Sequence, residues 1–295
     1  MCEDFVGGWV LYEAHLYYNY VRDLFMITGG MALKYQLVVS DIDGTLVDDD
    51  KRISDATMRC IDEYRSRGGM FTIATGRGER AARPFIDKLR IDIPAIIFNG
   101  GELYHPESGA IYAHYLNKGI ADMVIDRFRD TDLGVVTYHN DRIFIADYKP
   151  SHDLYMALEK VEIDRIPNLK AVDEVNKILL VGDVGEAQAI TEELEDRCGV
   201  PINHVQTEDI YLEILPDGIS KGKGLKELCA SLGVSLQKTM AIGDQMNDIA
   251  MLEAAGCGVA MENAMEEVKK VASFVTKKNT DDGVAHVLKK VLAMV

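Results

Sequence analysis

Four short apolar runs in this sequence each stop at a small polar cluster, and that recurrence constrains the fold more than any other feature. Tyr35 to Ser40 runs into Asp41-Ile-Asp43-Gly44, Met70 to Ala74 into Thr75-Gly76-Arg77, Ala95 to Phe98 into Asn99-Gly100-Gly101, and Thr239 to Ile242 into Gly243-Asp244. A short continuous apolar, β-rich run is the pattern of a strand covered on both faces, as in a parallel sheet. Parallel neighbours need a crossover. Ser54 to Arg67 supplies one as a helix, with Ser54 as N-cap and Gly68-Gly69 as stop. The interval from Asp41 to Thr75 holds that crossover and no more. Strands that repeatedly deliver polar residues at their carboxyl ends predict an α/β protein with a doubly wound, mostly parallel sheet and a cleft along that edge.

From about Asn117 to Gln206 the rhythm changes. Amphipathic helices (Ile120 to Asp130, Ser151 to Val161, Gly185 to Cys198) alternate with short strands (Gly134 to Tyr138, Ile143 to Asp147, Lys177 to Val181). This stretch reads as an inserted α+β domain, residues 117–206, with the core built from 31–116 and 207–295. Tyr211 to Leu215 is expected to return to the core. A helix over Lys221 to Leu232, the strand before Asp244, a helix over Asp248 to Ala255 and a strand over Gly258 to Met261 resume the first pattern.

The 295 residues suffice for two domains with separate apolar cores, and 47% hydrophobic with 27% charged residues is the make-up of a globular chain. The 32 Lys+Arg against 48 Asp+Glu leave a formal charge of -16, which repels nucleic acid at long range and leaves room for small phosphorylated metabolites where local cations reverse the field. The five cysteines form no C-x-x-C pair and no zinc-type spacing with the histidines. They read as reduced, which fits a cytoplasmic protein, and any metal would sit on oxygen ligands. Residues 1–30 include an aromatic stretch, Trp9 to Met26, broken by Glu13, Arg22 and Asp23 and preceded by Glu3 and Asp4. That suits neither a membrane span of about 18–20 apolar residues nor a signal peptide with a basic start. Two readings remain: a peripheral helix, or a leader upstream of a start near Met31. Oligomeric state has no signal in the sequence.

Asp41 and Asp43 stand two apart just past a strand, so both carboxylates can face one crevice, where a divalent cation is the usual way to keep such a pair ionised. The competing reading is an Asp-Gly turn. Three further clusters follow in order: Thr75-Gly76-Arg77, Lys221 within Gly-Ile-Ser-Lys-Gly, and Gly243-Asp244-Gln-Met-Asn247-Asp248. In combination the chain resembles the haloacid dehalogenase (HAD) superfamily, and within it the Cof-like phosphatases with a type IIB cap between the second and third motifs. The likeness runs from about Met31 to the C-terminus, through Val259-Ala-Met-Glu262-Asn263-Ala264 and Asn279-x-x-Asp282-Gly283-Val284. Glu262 stands where glycine is expected.

The resemblance implies a Mg2+-dependent phosphatase of small metabolites, such as sugar phosphates or cofactor phosphates like pyridoxal phosphate or FMN. Asp41 would be the nucleophile that becomes an aspartyl phosphate. Asp43 would act as general acid and then base, its main-chain carbonyl reaching the metal. Thr75 and nearby backbone N–H groups would hold the phosphoryl oxygens, with Gly44 and Gly76 letting the chain close beneath them. Lys221 would be the fixed cation; standing alone, a lysine after serine reads as a solvated charge. Asp244 would bind Mg2+, Asp248 would do so directly or through water, and Asn247 would orient the lysine or a metal-bound group. Arg77 either binds the substrate phosphate or pairs with a carboxylate, and Asn99 either touches substrate or caps a turn.

Other motif-like text fails. Gly218 to Gly224 has three residues between its first glycines where a P-loop has four, and no Ser or Thr follows Lys223. Gly76-Arg-Gly78 lacks the third glycine and acidic partner of a dinucleotide fingerprint. His105, His114, His139 and His152 show no ligand spacing. A phosphomutase would use the same core, yet the relatives it resembles carry a cap between the first two motifs, where this chain has only a helix. A non-catalytic phosphometabolite sensor is the alternative from another class, and would be expected to lose Asp41 or Lys221.

Overall fold

The computed structural model describes residues 33–159 and 161–294, so the extension 1–30 and its aromatic stretch lie outside the described residues. The described residues form two compact units, one of residues 33–77, 81–112 and 220–294, the other of 78–80 and 113–219.

The first unit is built on a five-stranded sheet of β1 (Leu37–Ser40), β2 (Met70–Ile73), β12 (Thr239–Gly243), β13 (Cys257–Ala260) and β14 (Phe274–Val275), in the order β14-β13-β12-β1-β2. All four pairings are parallel. Every residue of β1, β2, β12 and β13 is buried, as the continuous apolar runs require of strands covered on both faces. Helix α1 (Asp55–Ser66) makes the β1-to-β2 crossover; Ser54 caps it, its Oγ accepting from the Thr57 N–H at 3.1 Å. Past β2, a single parallel bridge from Ala74 to Ile96 leads to β3 (Ala95–Ile97), which pairs antiparallel with β4 (Glu102–His105) in a small sheet completed by β5 (Gly109–Ala113). Helix α2 (Glu79–Leu89) connects β2 to β3. The chain runs outward from β1 through β2 in one direction and from β12 through β14 in the other. The carboxyl ends of β1 and β12 therefore flank the point where strand order reverses, the usual place for a site in such sheets.

The second unit holds a six-stranded sheet in the order β10-β11-β9-β6-β7-β8, with β6 (Gly134–His139), β7 (Arg142–Ile145), β8 (Asp164–Arg165), β9 (Lys177–Val181), β10 (His204–Glu208) and β11 (Tyr211–Ile214). Its pairings are antiparallel except β7 with β8. One face packs helices α3 (Lys118–Phe128) and α5 (Val184–Cys198) over Val135, Ile178, Leu180, Leu212 and Ile214. The other face carries Val136, Leu179, Val181 and Tyr211 with Tyr155 of α4 (Pro150–Glu159).

Here the structure corrects the expected boundaries of the insert. Tyr211 to Leu215 does not return to the core: β11 lies between β10 and β9 in the inserted sheet, and the unit extends over 113–219 rather than 117–206. Without it the inner strand β9 would be left with an open edge, and its apolar Leu212 and Ile214 fill the core beneath α3 and α5. The core resumes at Ser220, with α6 (Lys221–Leu232), α7 (Ile249–Ala254), α8 (Glu266–Val271) and α9 (Gly283–Leu292), the last packed against α1.

Candidate active site

Asp41 follows β1 directly, and its N–H donates to the Ile242 carbonyl of β12 at 2.9 Å, so the nucleophile candidate is set by the final rung of the central parallel pair. Ile42 to Leu46 then make one wide turn closed by the Val47 N–H on the Ile42 carbonyl at 3.1 Å. Gly44 has φ +74°, and a Cβ there would run into the Asp244 carboxylate, so only glycine lets this turn lie against the end of β12. Thr45 donates from Oγ1 to Asp244 Oδ1 at 2.5 Å.

Lys221 is the first residue of α6, capped by Ser220, and is 1% exposed. The reading of this lysine as a solvated charge is excluded. Its ammonium lies 2.6 Å from Asp41 Oδ1 and 2.6 Å from Asp248 Oδ1. The other oxygen of Asp248 accepts from the N–H groups of Asp244 at 2.8 Å and Gln245 at 3.0 Å, so this carboxylate fixes both Lys221 and the loop that carries Asp244. Asp41, Asp244 and Asp248 are all buried, and each offers a carboxylate oxygen within 4.8 Å of the others.

Three carboxylates around one ammonium leave this cluster two negative charges in excess. Burial raises Asp41 well above the ordinary carboxylate range; Lys221 opposes this, and Asp248, Asp244 and Asp43 reinforce it. Burial would lower Lys221, but Asp248 and Asp41 outweigh it and hold the ammonium above its usual value. An oxygen-only donor set with that excess charge fits a hard divalent cation such as Mg2+.

Asp43 points to a separate cluster. Its Oδ2 accepts from Arg77 Nε at 2.7 Å, and its Oδ1 accepts from Arg77 Nη2 at 2.9 Å and Lys51 Nζ at 2.6 Å. Burial pushes this carboxyl up, but Arg77 and then Lys51 outweigh it and hold it at about 2. Of the two readings of Arg77, the structure shows pairing with a carboxylate, with the guanidinium also 5.4 Å from the Phe85 ring centroid. Thr75 accepts the Arg77 N–H on Oγ1 at 3.1 Å. Its own carbonyl accepts from Asn99 at 2.9 Å.

Asn99 is 1% exposed and sits at φ +56° between Phe98 and Gly100, also at positive φ. Its Oδ1 accepts from Asn247 Nδ2 at 2.9 Å, and Gly76 lies against its amide. The structure thus brings Asn99 and Asn247 to each other, tying the Thr75 loop to the Asp244 loop.

Sequence reasoning missed Lys51, Thr45, Asn263 and Asn279 as parts of the site. Asn263 donates to the Gly44 carbonyl at 2.8 Å and accepts the Asn279 N–H at 3.0 Å, while Asn279 donates to the Val47 carbonyl at 2.9 Å. These two asparagines brace the turn after Asp41 from its outer side. Both lie in the tail text that carries the family likeness, which was the available signal. Lys51 had none, sitting in a charged Asp-rich turn.

This chain belongs to the haloacid dehalogenase-like hydrolases, whose family profile matches residues 38–288. It is 31% identical over 277 residues to the 5-amino-6-(5-phospho-D-ribitylamino)uracil phosphatase YitU of Bacillus subtilis, covering 90% of this chain and 100% of that one. A haloacid dehalogenase-like hydrolase from Bacteroides thetaiotaomicron shares 32% identity and superposes with a TM-score of 0.78, covering 88% of this chain and 100% of that one. A sugar phosphatase of haloacid dehalogenase subclass IIB, 24% identical over 88% of this chain and 100% of its own, has the same fold with a TM-score of 0.78. Among the described residues no helix is long and apolar enough to cross a membrane.

Proposed function

We propose that this phosphatase of the haloacid dehalogenase type hydrolyses phosphate monoesters of small metabolites with Mg2+, through an aspartyl phosphate on Asp41. The observation that carries the reading is the buried ammonium of Lys221 at 2.6 Å from both Asp41 and Asp248, in a cluster whose excess negative charge a divalent cation would balance. Asp41, Asp244 and the backbone beside Asp43 would hold the ion. Bound there, it would neutralise charge on the transferring phosphoryl oxygens. Both oxygens of Asp248 are already engaged, so its part is to hold Lys221 and the Asp244 loop, with any contact to the ion through water.

Lys221 keeps the Asp41 carboxylate beside a positive charge so that an anionic nucleophile can approach an anionic ester. Oδ2 or Oδ1 of Asp41 attacks phosphorus, the ester P–O bond breaks, and Asp43, whose pairing with Arg77 and Lys51 must open before it can carry a proton, gives that proton to the leaving alkoxide. Water then attacks the acyl phosphate, Asp43 takes its proton, and inorganic phosphate and free Asp41 result. The Thr75 hydroxyl supplies a donor to the phosphoryl oxygens. The inserted unit, residues 113–219, is the proposed substrate-selecting cap. The ribityl-pyrimidine phosphatase activity in the name of the Bacillus relative makes phosphate esters of polyols and sugars the first compounds to assay.

The test is phosphate release from p-nitrophenyl phosphate and a panel of sugar, polyol, nucleotide and cofactor phosphates, with Mg2+ and with excess EDTA. Turnover that needs the metal, and falls at least about a thousandfold in Asp41→Asn with unchanged circular dichroism, is the expected result. Retained turnover in that variant overturns the covalent route. Silence of the folded wild type with Mg2+ across the panel, with retained phosphate-ester binding, favours the sensor.

A further inference from the structure

Thr45 belongs to the turn that follows Asp41, yet its hydroxyl is spent on Asp244, at the end of the neighbouring strand β12. Both residues are buried, Thr45 at 1% and Asp244 at 2% exposure. The turn approaches that closely because Gly44 lies directly against the Asp244 carboxylate. The Val47 N–H closes the turn on the Ile42 carbonyl, and Asn263 donates to the Gly44 carbonyl at 2.8 Å, so the backbone that carries the hydroxyl is fixed on both sides of it. The β-branch of Thr45 restricts its side chain further.

The main chain of Asp244 is pinned as well. Its N–H donates to Asp248 Oδ2 at 2.8 Å, and its carbonyl accepts from the Met265 N–H at 3.1 Å. These bonds leave the carboxylate its own rotation, which the Thr45 hydroxyl on Oδ1 at 2.5 Å opposes. Different donors thus hold the three carboxylates of the cluster. Asp41 and Asp248 each meet the Lys221 ammonium at 2.6 Å, which orients them and offsets their charge. A hydroxyl is neutral, so Thr45 orients Asp244 without offsetting the charge that an incoming cation would use.

An oriented carboxylate serves divalent ions unequally. Mg2+ demands near-ideal octahedral ligation at short distance, whereas Ca2+ takes a larger, flexible shell and accepts a carboxylate through one oxygen or both. A ligand fixed in advance therefore helps Mg2+ more, and a carboxylate able to turn favours Ca2+ by comparison.

We infer that Thr45 is a positioning residue that fixes Asp244 for the ion and biases the site toward Mg2+ over Ca2+. This role rests on the proposed place of Asp244 among the ion ligands. Removing the hydroxyl lets the Asp244 carboxylate turn, at a cost to Mg2+ that Ca2+ largely escapes.

The test titrates the metal-free full-length protein with Mg2+ and, separately, with Ca2+ by isothermal titration calorimetry, for wild type, Thr45→Val and Thr45→Ser. Valine keeps the shape of threonine without the hydroxyl, and serine returns the hydroxyl. Thr45→Val is expected to lose about tenfold in Mg2+ affinity and no more than about twofold in Ca2+ affinity, with Thr45→Ser restoring most of the Mg2+ loss. Circular dichroism and the urea midpoint in EDTA establish the fold of each variant, and Thr45→Ala stands in if Thr45→Val fails to fold. A general loosening of the site would weaken both ions alike. Unchanged Mg2+ affinity, equal losses of the two ions, or a Thr45→Ser no better than Thr45→Val would overturn the role of Thr45 and leave the phosphatase reading standing. Wild type that binds neither ion removes the ion site and the role of Thr45 together.

Discussion

Asp41 and Asp43 are two residues apart and have opposite electrostatic surroundings. The first is pushed up by burial among other carboxylates, and the second is held at about 2 by Arg77 and Lys51. The pairing of Asp43 has a consequence for acid stability. Its folded value lies below the ordinary carboxylate value of about 3.9, so the unfolded chain binds the proton more readily between the two. The stabilisation is therefore complete above about pH 4 and is lost as pH falls through that value toward 2. Urea midpoints of wild type and Asp43→Asn should differ most near pH 6, keep about half of that difference at pH 3 and converge only near pH 2 and below. A gap that widens on acidification would contradict the pairing.

At the scale of elements, the inserted sheet hides a Lys177–Glu213 ion pair at 2.7 Å with both side chains nearly buried, the ammonium also lying 4.6 Å from the Tyr138 ring centroid. Glu213 stands opposite Leu179 in the β9–β11 ladder, so the pair bridges these strands diagonally. Removing one partner leaves a buried charge: Lys177→Met should cost about 3–5 kcal/mol, and adding Glu213→Leu should recover most of it. Denaturant titration of the three variants checks this, and a double variant no better than the single would show that the pair is not the cause. The same strands show where sequence reading reached its limit. Apolar runs stopping at Asp41, Thr75, Asn99 and Asp244 were legible because strands buried on both faces have few other readings. Tyr211–Ile214 was misassigned because alternating apolar residues fit either sheet, and the choice depends on β9 and β10 as neighbours. The convergence of Asp41, Lys221, Asp244 and Asp248 was legible as well. The Asn99–Asn247 contact and the reach of Lys51 were not, since both follow from positive-φ turns that charged or amide residues do not announce.

Across the whole molecule, the proposed ion ligands fall in one compact unit and the inserted sheet in the other. Mg2+ should therefore stabilise selectively. At about 100 times its dissociation constant a ligand that binds only the folded state adds about 2.7 kcal/mol. Hydrogen exchange with Mg2+ against EDTA should slow in β1, β12 and the turns after them, leaving β6, β9 and β11 unchanged. Asp244→Asn should abolish the effect, and uniform protection of both units would contradict a localised site.

The central strand of the first unit is completed late. Lys221 meets Asp41 across 180 residues, and Thr45 meets Asp244 across 199. On a ribosome adding about 5–20 residues per second, β1 emerges roughly 10–40 s before β12 exists. Through that interval one edge of a strand that is wholly buried in the finished fold is bare, the kind of unpaired edge that invites aggregation. The same delay means that no product truncated before Lys221 carries an armed aspartate: the charge that readies Asp41 arrives only when about three quarters of the polypeptide has been made.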